Sequence, residues 1–238
     1  MSALFLSPHP DDVELFCGGT VAALAASTGG SRIMIADLTR GELSSNGTVE
    51  LRARESAAAA SVLGLNTPRT QLGLPDAGLD VKDARQMRAI VELIRKVRPR
   101  LLFAPWTEDR HPDHVAAGEL ARRAVYFAGV ARFDADHEIF RPERLLHYPC
   151  HAGVEPHLLL DVTAQIGQWE SAVRCYASQF LQEDSDPAEV QTPINRPGFV
   201  DIHRGRRAEW GSRLGVGFAE GFVHEGPWKI SIADLIKE

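Results

Sequence analysis

Two short segments of the chain hold a high density of groups able to bind a metal and move protons. Ser7-Pro-His-Pro-Asp-Asp12 lies near the start, and Asp109-Arg-His-Pro-Asp-His114 near the middle. The first alone reads equally well as a strand-end turn with an aspartate helix cap, because Asp side chains accept the free N–H groups of a first helical turn. Asp113 could cap the helix that follows it in the same way. Two His-Pro-Asp tripeptides, each placed after an apolar run, are much harder to assign to capping. Two histidines and one carboxylate with an open fourth position form the donor set of a hydrolytic zinc site. The three-residue separations, His9 to Asp12 and His111 to His114, let both side chains of a pair face one point from a turn. Such a site activates water near neutral pH strongly enough to attack an amide. Asp11, His111 and Asp113 are then spare groups for acid–base work.

An alternation of short apolar runs and helical patterns must position these segments. Residues 3–7, 32–38, 70–74 and 101–105 read as strands, and Pro8 and Pro105 punctuate the first and fourth. A first helix is expected to open near Gly18 or Gly19 and stop at Gly29-Gly30. Further helices are expected over 49–63, 82–97 and 114–128; Met87, Ile90, Val91 and Ile94 fall at helical spacing in the second of these. Strand–helix alternation of this length predicts parallel βαβ units with right-handed crossovers. The expected fold class is therefore α/β: a Rossmann-like layered, mostly parallel sheet with helices on both faces. In such sheets reactive groups collect beyond the carboxyl ends of the strands, where both segments fall. After Arg144 the pattern weakens into strands at 145–148 and 157–162, a helix over 165–178, a polar loop at 183–197 and a glycine-rich stretch from Trp210 to Phe222. No repeat or linker interrupts the chain, so one domain over 1–238 with an elaborated C-terminal third is expected.

Composition narrows the function classes. The chain has 238 residues, 44% of them hydrophobic and 24% charged, which excludes disordered and fibrous classes. A formal net charge of −6 lacks the basic footprint of a nucleic-acid binder. A dinucleotide binder would place G-x-G-x-x-G after the first strand, where this chain has two carboxylates and an imidazole. Cys17, Cys150 and Cys175 are too few and too far apart for a disulfide scaffold. No apolar run reaches membrane-spanning length, and no secretory signal is visible. A cytoplasmic protein without membrane or nucleic-acid partners is expected.

The pair HPDD and HPDH resembles the LmbE/PIG-L superfamily of zinc-dependent N-acetylglucosaminyl deacetylases. The likeness extends to Asp37-Leu-Thr-Arg-Gly-Glu42, Asn46-Gly-Thr48, the stretch from Arg52 to Leu63, Leu74-Pro-Asp76, Tyr176-Ala-Ser-Gln-Phe180 and Gly217-Phe-Ala-Glu-Gly-Phe222. Together these are most similar to the bacillithiol biosynthesis deacetylases of the BshB1 type. The resemblance implies His9, Asp12 and His114 as metal ligands, with Zn2+ as the metal and Fe2+ also suited to nitrogen and oxygen donors. It implies Asp11 as general base and His111 as general acid or oxyanion stabiliser. Arg52 would bind substrate, and Asp113 would orient an imidazole. The implied substrate is an N-acetylglucosamine conjugate, first of all N-acetylglucosaminyl malate, whose carboxylates would pair with Arg52 and Arg110. Other N-acetylglucosaminides are the alternative, as is a metal- or sugar-binding module without turnover. The resemblance also implies a homo-oligomer, trimeric or hexameric.

Two departures from the family pattern stand out. Related enzymes often carry a tyrosine after the Ser-Gln-Phe motif, where residues 192–200 offer Phe199 and no tyrosine. They often carry a lysine just before that motif, where this chain has Glu170-Ser-Ala-Val-Arg174. His137, His147, His157, His203 and His224 read as surface or packed histidines. His151 and Glu155 follow a strand and are expected near the sugar pocket. Trp106 reads equally as a sugar-stacking or a packed ring, Cys17 as a small buried residue, and His203-Arg-Gly-Arg-Arg207 as a solvated face, with attraction of an anionic substrate as the alternative.

Overall fold

A computed structural model describes residues 2–151, 153–180 and 190–227. Its centre is β1 (Ala3–Ser7), every residue of which is buried. Parallel neighbours on both sides account for that: β2 (Ile33–Asp37) pairs from Ala3↔Ile33 to Ser7↔Asp37, and β4 (Leu101–Pro105) pairs from Ala3↔Leu101. With β3 (Thr70–Gln71) beyond β2 and β5 (Arg144–Tyr148) beyond β4, the sheet runs β3-β2-β1-β4-β5, all parallel. Side chains alternate between its faces with period two. Ala3 and Phe5 join a core with α1 (Asp12–Thr28), α2 (Val49–Val62) and α5 (Ile166–Arg174). Leu4 and Leu6 join a second core with α3 (Ala84–Val97) and α4 (Pro112–Ala128). Each fully buried aliphatic such as Ile90 or Leu120 contributes about 1.5–3 kcal/mol. The α/β layered, mostly parallel architecture is the one expected from the alternation.

Local differences have physical causes. The first helix opens at Asp12, and Cys17 (φ −145°, ψ 23°) breaks it into two segments. The glycine pair thus marks the second segment, not the start of the helix. Both glycines sit where a side chain would be crowded, since a Cβ at Gly18 would lie 3.2 Å from Trp169 and one at Gly19 3.0 Å from Val162. The strand expected to run to 74 contributes only Thr70–Gln71 to the sheet. The expected strand at 157–162 is β6 (Leu158–Asp161), which leaves the main sheet and pairs antiparallel with β7 (Ala219–Phe222) inside the glycine-rich stretch. One bridge, His147–Val223, ties this ribbon to the edge strand β5. The helix expected over 165–178 is a 3-10 turn, Thr163–Gln165, followed by α5, and it ends at Arg174. Of the expected loop at 183–197, residues 183–189 lie outside the described residues, and 190–197 form neither helix nor strand.

An unforeseen helix, α6 (Phe199–Leu214), contains the arginine stretch expected to be solvated. That expectation fails in part. Arg204 is half-exposed and pairs with Glu170, but Arg207 is fully buried because Glu220 of β7 meets its charge at 2.7 Å. Cys17 is buried as expected. Among the described residues, no helix is long and apolar enough to cross a membrane.

Candidate metal centre

Because β1 and β4 are parallel neighbours, the segments that follow them leave the same sheet edge side by side. The turn after β1 is fixed locally: Ser7 Oγ donates to the His9 carbonyl at 2.6 Å, and the His9 N–H donates to Asp12 Oδ2 at 2.9 Å. Asp11 precedes α1 but makes no side-chain cap hydrogen bond, and its φ of 129° lies in a region that non-glycine residues rarely occupy. Such a conformation costs about 1–3 kcal/mol and persists only where its surroundings enforce it. The capping account of the first segment therefore fails. In the second segment the cap is His111, whose Nδ1 accepts from the Asp113 N–H at 3.2 Å. Asp113 instead accepts from the N–H groups of Ala77 and Leu79, at 2.8 and 3.2 Å.

Asp12 lies between two imidazoles: its Oδ2 is 3.1 Å from His9 Nδ1, and its Oδ1 is 3.3 Å from His114 Nε2. The far nitrogen of each ring is backed by a carboxylate. His9 Nε2 lies 3.2 Å from both Asp76 and Asp113, and His114 Nδ1 lies 3.4 Å from Asp109. Metal-binding histidines are oriented by such partners, which fix the tautomer and aim the other nitrogen. Ligand atoms of His9, Asp12 and His114 all lie within 4.8 Å of one another, so this donor set fits a small divalent cation. Among the described residues, two other groupings are as close. His9–His111–Asp113 draws on an aspartate already engaged by two backbone donors, and Asp109–His114–Cys150 on a thiol that burial pushes up to about 12.

The electrostatics of this corner call for positive charge. Burial opposes protonation of His9 and His114, yet Asp113, Asp12 and Asp76 around the first, and Asp12 and Asp109 around the second, hold both well above the usual imidazole value. Asp12 resists burial and stays well below the carboxylate range, because His114 and His9 face it. Asp76 likewise falls to about 2 despite its partial burial, through its bond with His9. Asp11 goes the other way: burial raises it to about 7, only partly offset by the Arg52 guanidinium. His111 is lowered by burial and by the charges of His114 and His9, so it stays neutral near pH 7.

A cleft of about 570 Å³ opens over these groups and is lined by His9, Asp11, Asp12, His111 and His114. Arg52 and Arg110 also line it, but differently. Arg52 is buried, holds Asp11 Oδ2 at 2.8 Å and donates to the Pro10 carbonyl. Arg110 is exposed at the rim, 3.5 Å from His151 Nδ1. His151 lies in the cleft as expected, its ring 5.4 Å from that of His114, and burial lowers it to about 4. Glu155 does not; it points outward and pairs with Arg213. Trp106 packs edge-on against His147 at 5.4 Å and is absent from the cleft wall. His147 is itself buried against the Pro105 carbonyl, and His203 against Phe16 and Phe199.

Sequence reasoning named Asp76 and Asp109 within motifs but gave them no role, and it overlooked Gln179 as a cleft residue. Gln179 accepts from Ser44 Oγ at 2.9 Å and donates to the Asn46 carbonyl at 2.9 Å, fixing the loop after β2 against the Ser-Gln-Phe segment. Glu55 anchors that segment through the Ser178 N–H and hydroxyl, at 2.8 and 2.7 Å. Where a tyrosine was expected, Thr192, Pro193 and Ile194 reach the cleft, while Phe199 stacks on Phe180.

Comparison with known proteins adds an independent line. The family model described as PIG-L, GlcNAc-PI de-N-acetylase, matches residues 4–125, which span both segments. The diacetylchitobiose deacetylase of Thermococcus kodakarensis is 29% identical over 94% of this chain and 86% of its own. The 1D-myo-inositol 2-acetamido-2-deoxy-alpha-D-glucopyranoside deacetylase of Rhodococcus opacus is 31% identical over 55% of each chain. Among solved structures, the conserved protein TT1542 from Thermus thermophilus superposes with a TM-score of 0.86 at 42% identity, covering 98% of both chains.

Proposed function

The chain belongs to the PIG-L family of GlcNAc-PI de-N-acetylases, and on that premise we propose that it hydrolyses the N-acetyl group of an N-acetylglucosamine conjugate, releasing acetate and the free amine. One observation carries the reading: a buried carboxylate, Asp12, shared by two imidazoles that are each backed by a further carboxylate, at the floor of an open cleft. His9, Asp12 and His114 would hold the metal, Zn2+ before Fe2+, which when bound polarises an acyl oxygen and eases deprotonation of water.

The remaining steps belong to the chain's own side chains. Asp11, raised to about 7, is matched to accept a proton from the attacking water near neutral pH. Arg52 fixes the orientation of that carboxylate, so its role is first to hold the base and only secondarily to touch substrate. His111 uses Nδ1 as an acceptor and keeps its proton on Nε2, where it serves the developing oxyanion or the departing amine. Asp113 holds His9 in place.

The finer reading is N-acetylglucosaminyl malate, supported by the motif resemblance and by the exposed cation of Arg110 at the rim. Because Arg52 is already paired, Arg110 is the cation left to meet a malate carboxylate. The second reading, a neutral disaccharide, is favoured by the likeness to a diacetylchitobiose deacetylase over most of both chains. Measuring primary amine released from N-acetylglucosaminyl malate, diacetylchitobiose and an inositol conjugate of N-acetylglucosamine, with and without a chelator, separates them. Chelator-sensitive release, fastest with the malate conjugate, is expected. Faster release from diacetylchitobiose would replace the finer reading. No release from any of the three by metal-loaded protein would leave a binding module.

A further inference from the structure

The break in α1 is built, and residues far along the chain build it. The segment from Asp11 to Phe16 carries the proposed base, a proposed ligand and Leu15 of the cleft wall, and the Phe16 ring lies edge-on to His114 and His151. At Cys17 the backbone leaves helical φ/ψ, and such a break tends to orphan a carbonyl before it and N–H groups after it. Neither is orphaned. The Leu15 carbonyl accepts from Arg207 Nη2 at 2.9 Å and from Trp169 Nε1 at 3.3 Å. Beyond the break, Glu220 accepts from the Gly19 and Thr20 N–H groups, at 3.0 and 2.7 Å, and from the Thr20 hydroxyl at 2.6 Å. Arg207 closes the loop by donating through Nε and Nη2 to Glu220 Oε1, at 3.0 and 2.7 Å, and lies over the Trp169 ring at 3.9 Å. All three side chains are buried.

We propose that the Arg207–Glu220 pair, with Trp169, positions the proposed metal centre by setting the first turn of α1 as a separately aimed segment. This rests on the metal-dependent reading above. A continuous helix would need none of these contacts, and a buried ion pair adds little to stability by itself, since apolar replacements of equal volume often serve as well. Its carboxylate and guanidinium instead satisfy the two sides of one break, five residues past the ligand Asp12. Loss of either side lets the turn tilt, which changes where Asp11 and Asp12 point. Arg207, Glu220 and Trp169 are positioning residues and touch neither metal nor substrate.

The test compares full-length wild type, Glu220→Gln, and a stability control, Ile90→Ala, on the opposite sheet face. Zn2+ affinity is measured by chelator competition, alongside kcat and KM for amine release and the Tm of each protein. The expected result is Zn2+ binding a few-fold weaker in Glu220→Gln, less than the roughly tenfold or more that follows removal of a direct partner of a metal ligand. Turnover should fall with KM changed less than about twofold, while Ile90→Ala loses Tm with wild-type Zn2+ affinity. Wild-type affinity and kcat in Glu220→Gln would overturn the positioning role. If that variant does not fold, Trp169→Phe removes the Nε1 donor to Leu15 together with the five-membered ring and leaves a phenyl ring beside Arg207; a few-fold weaker Zn2+ affinity supports the role and an unchanged one overturns it. Failure of wild type itself to bind Zn2+ and release amine would overturn the metal-dependent reading and this inference with it.

Discussion

Two polar centres sit at opposite ends of the first segment of α1 and differ in what they ask of the chain. The Asp12 centre is open to a cleft, gathers its carboxylates around two imidazoles and leaves a demand for positive charge. The Glu220 centre is sealed, and Arg207 with the helix N–H groups already answers its single carboxylate. Unmet demand facing solvent marks a place for a ligand; met demand in the core marks scaffold. The same residue types serve both, and only connectivity tells them apart.

The contrast breaks most sharply at Asp11. Asp11→Asn should retain Zn2+ yet lose at least about a hundredfold in kcat, because it removes the proton acceptor and leaves the ligands in place. Near-normal turnover in a steady-state amine assay would remove Asp11 from its role. On the scaffold side, Arg207→Met should cost about 3–5 kcal/mol in denaturant unfolding, since it strands the Glu220 charge in the core. A loss under about 1 kcal/mol would mean that water reaches the pair.

A smaller effect comes from His203, which burial and the neighbouring Arg207 and Arg206 hold down to about 2. The folded protein keeps it neutral while the unfolded chain protonates it near 6.5. Its stabilising contribution is therefore full above pH 6.5 and is lost as pH falls below that, by about 1.4 kcal/mol per pH unit. His203→Leu should flatten the decline in stability between pH 6.5 and 5 relative to wild type; identical slopes would show that His203 takes up its proton without unfolding. The smallest effect belongs to the exposed Glu155–Arg213 pair, where Glu155→Ala should leave kcat, KM and Tm unchanged within error. A changed KM would return Glu155 to the cleft.

Legibility in the sequence followed the same divide. The sheet was readable because the buried strands are short apolar runs and α3 carries an apolar stripe at Met87, Ile90, Val91 and Ile94. The cleft residues were readable because His9, Asp12 and His114 stand in two short motifs that follow β1 and β4. What stayed hidden depends on distant partners. Nothing near Arg207 signals that Glu220 and Trp169 will bury it, and α6 lacks an apolar stripe of the kind α3 carries, so its arginines look solvated. Nothing near Gly18 signals that the helix has already begun at Asp12, because the two sides of the break at Cys17 are met by residues 169, 207 and 220. Asp76 stood in a recognisable motif, but its place behind His9 appears only when the segment after β3 meets the turn after β1, and Asp109 comes behind His114 only once their shared segment folds.

The central claim, that the two loops make one metal-dependent deacetylating site, is tested most directly by titrating metal-free protein with Zn2+ while recording amine release from N-acetylglucosaminyl malate and diacetylchitobiose. The account predicts that release on at least one of them rises in proportion to bound Zn2+ and saturates at a single ion per chain, and that Asp12→Ala abolishes both binding and release. Undiminished release by the metal-free protein, or Asp12→Ala binding Zn2+ and turning over as wild type does, would contradict it.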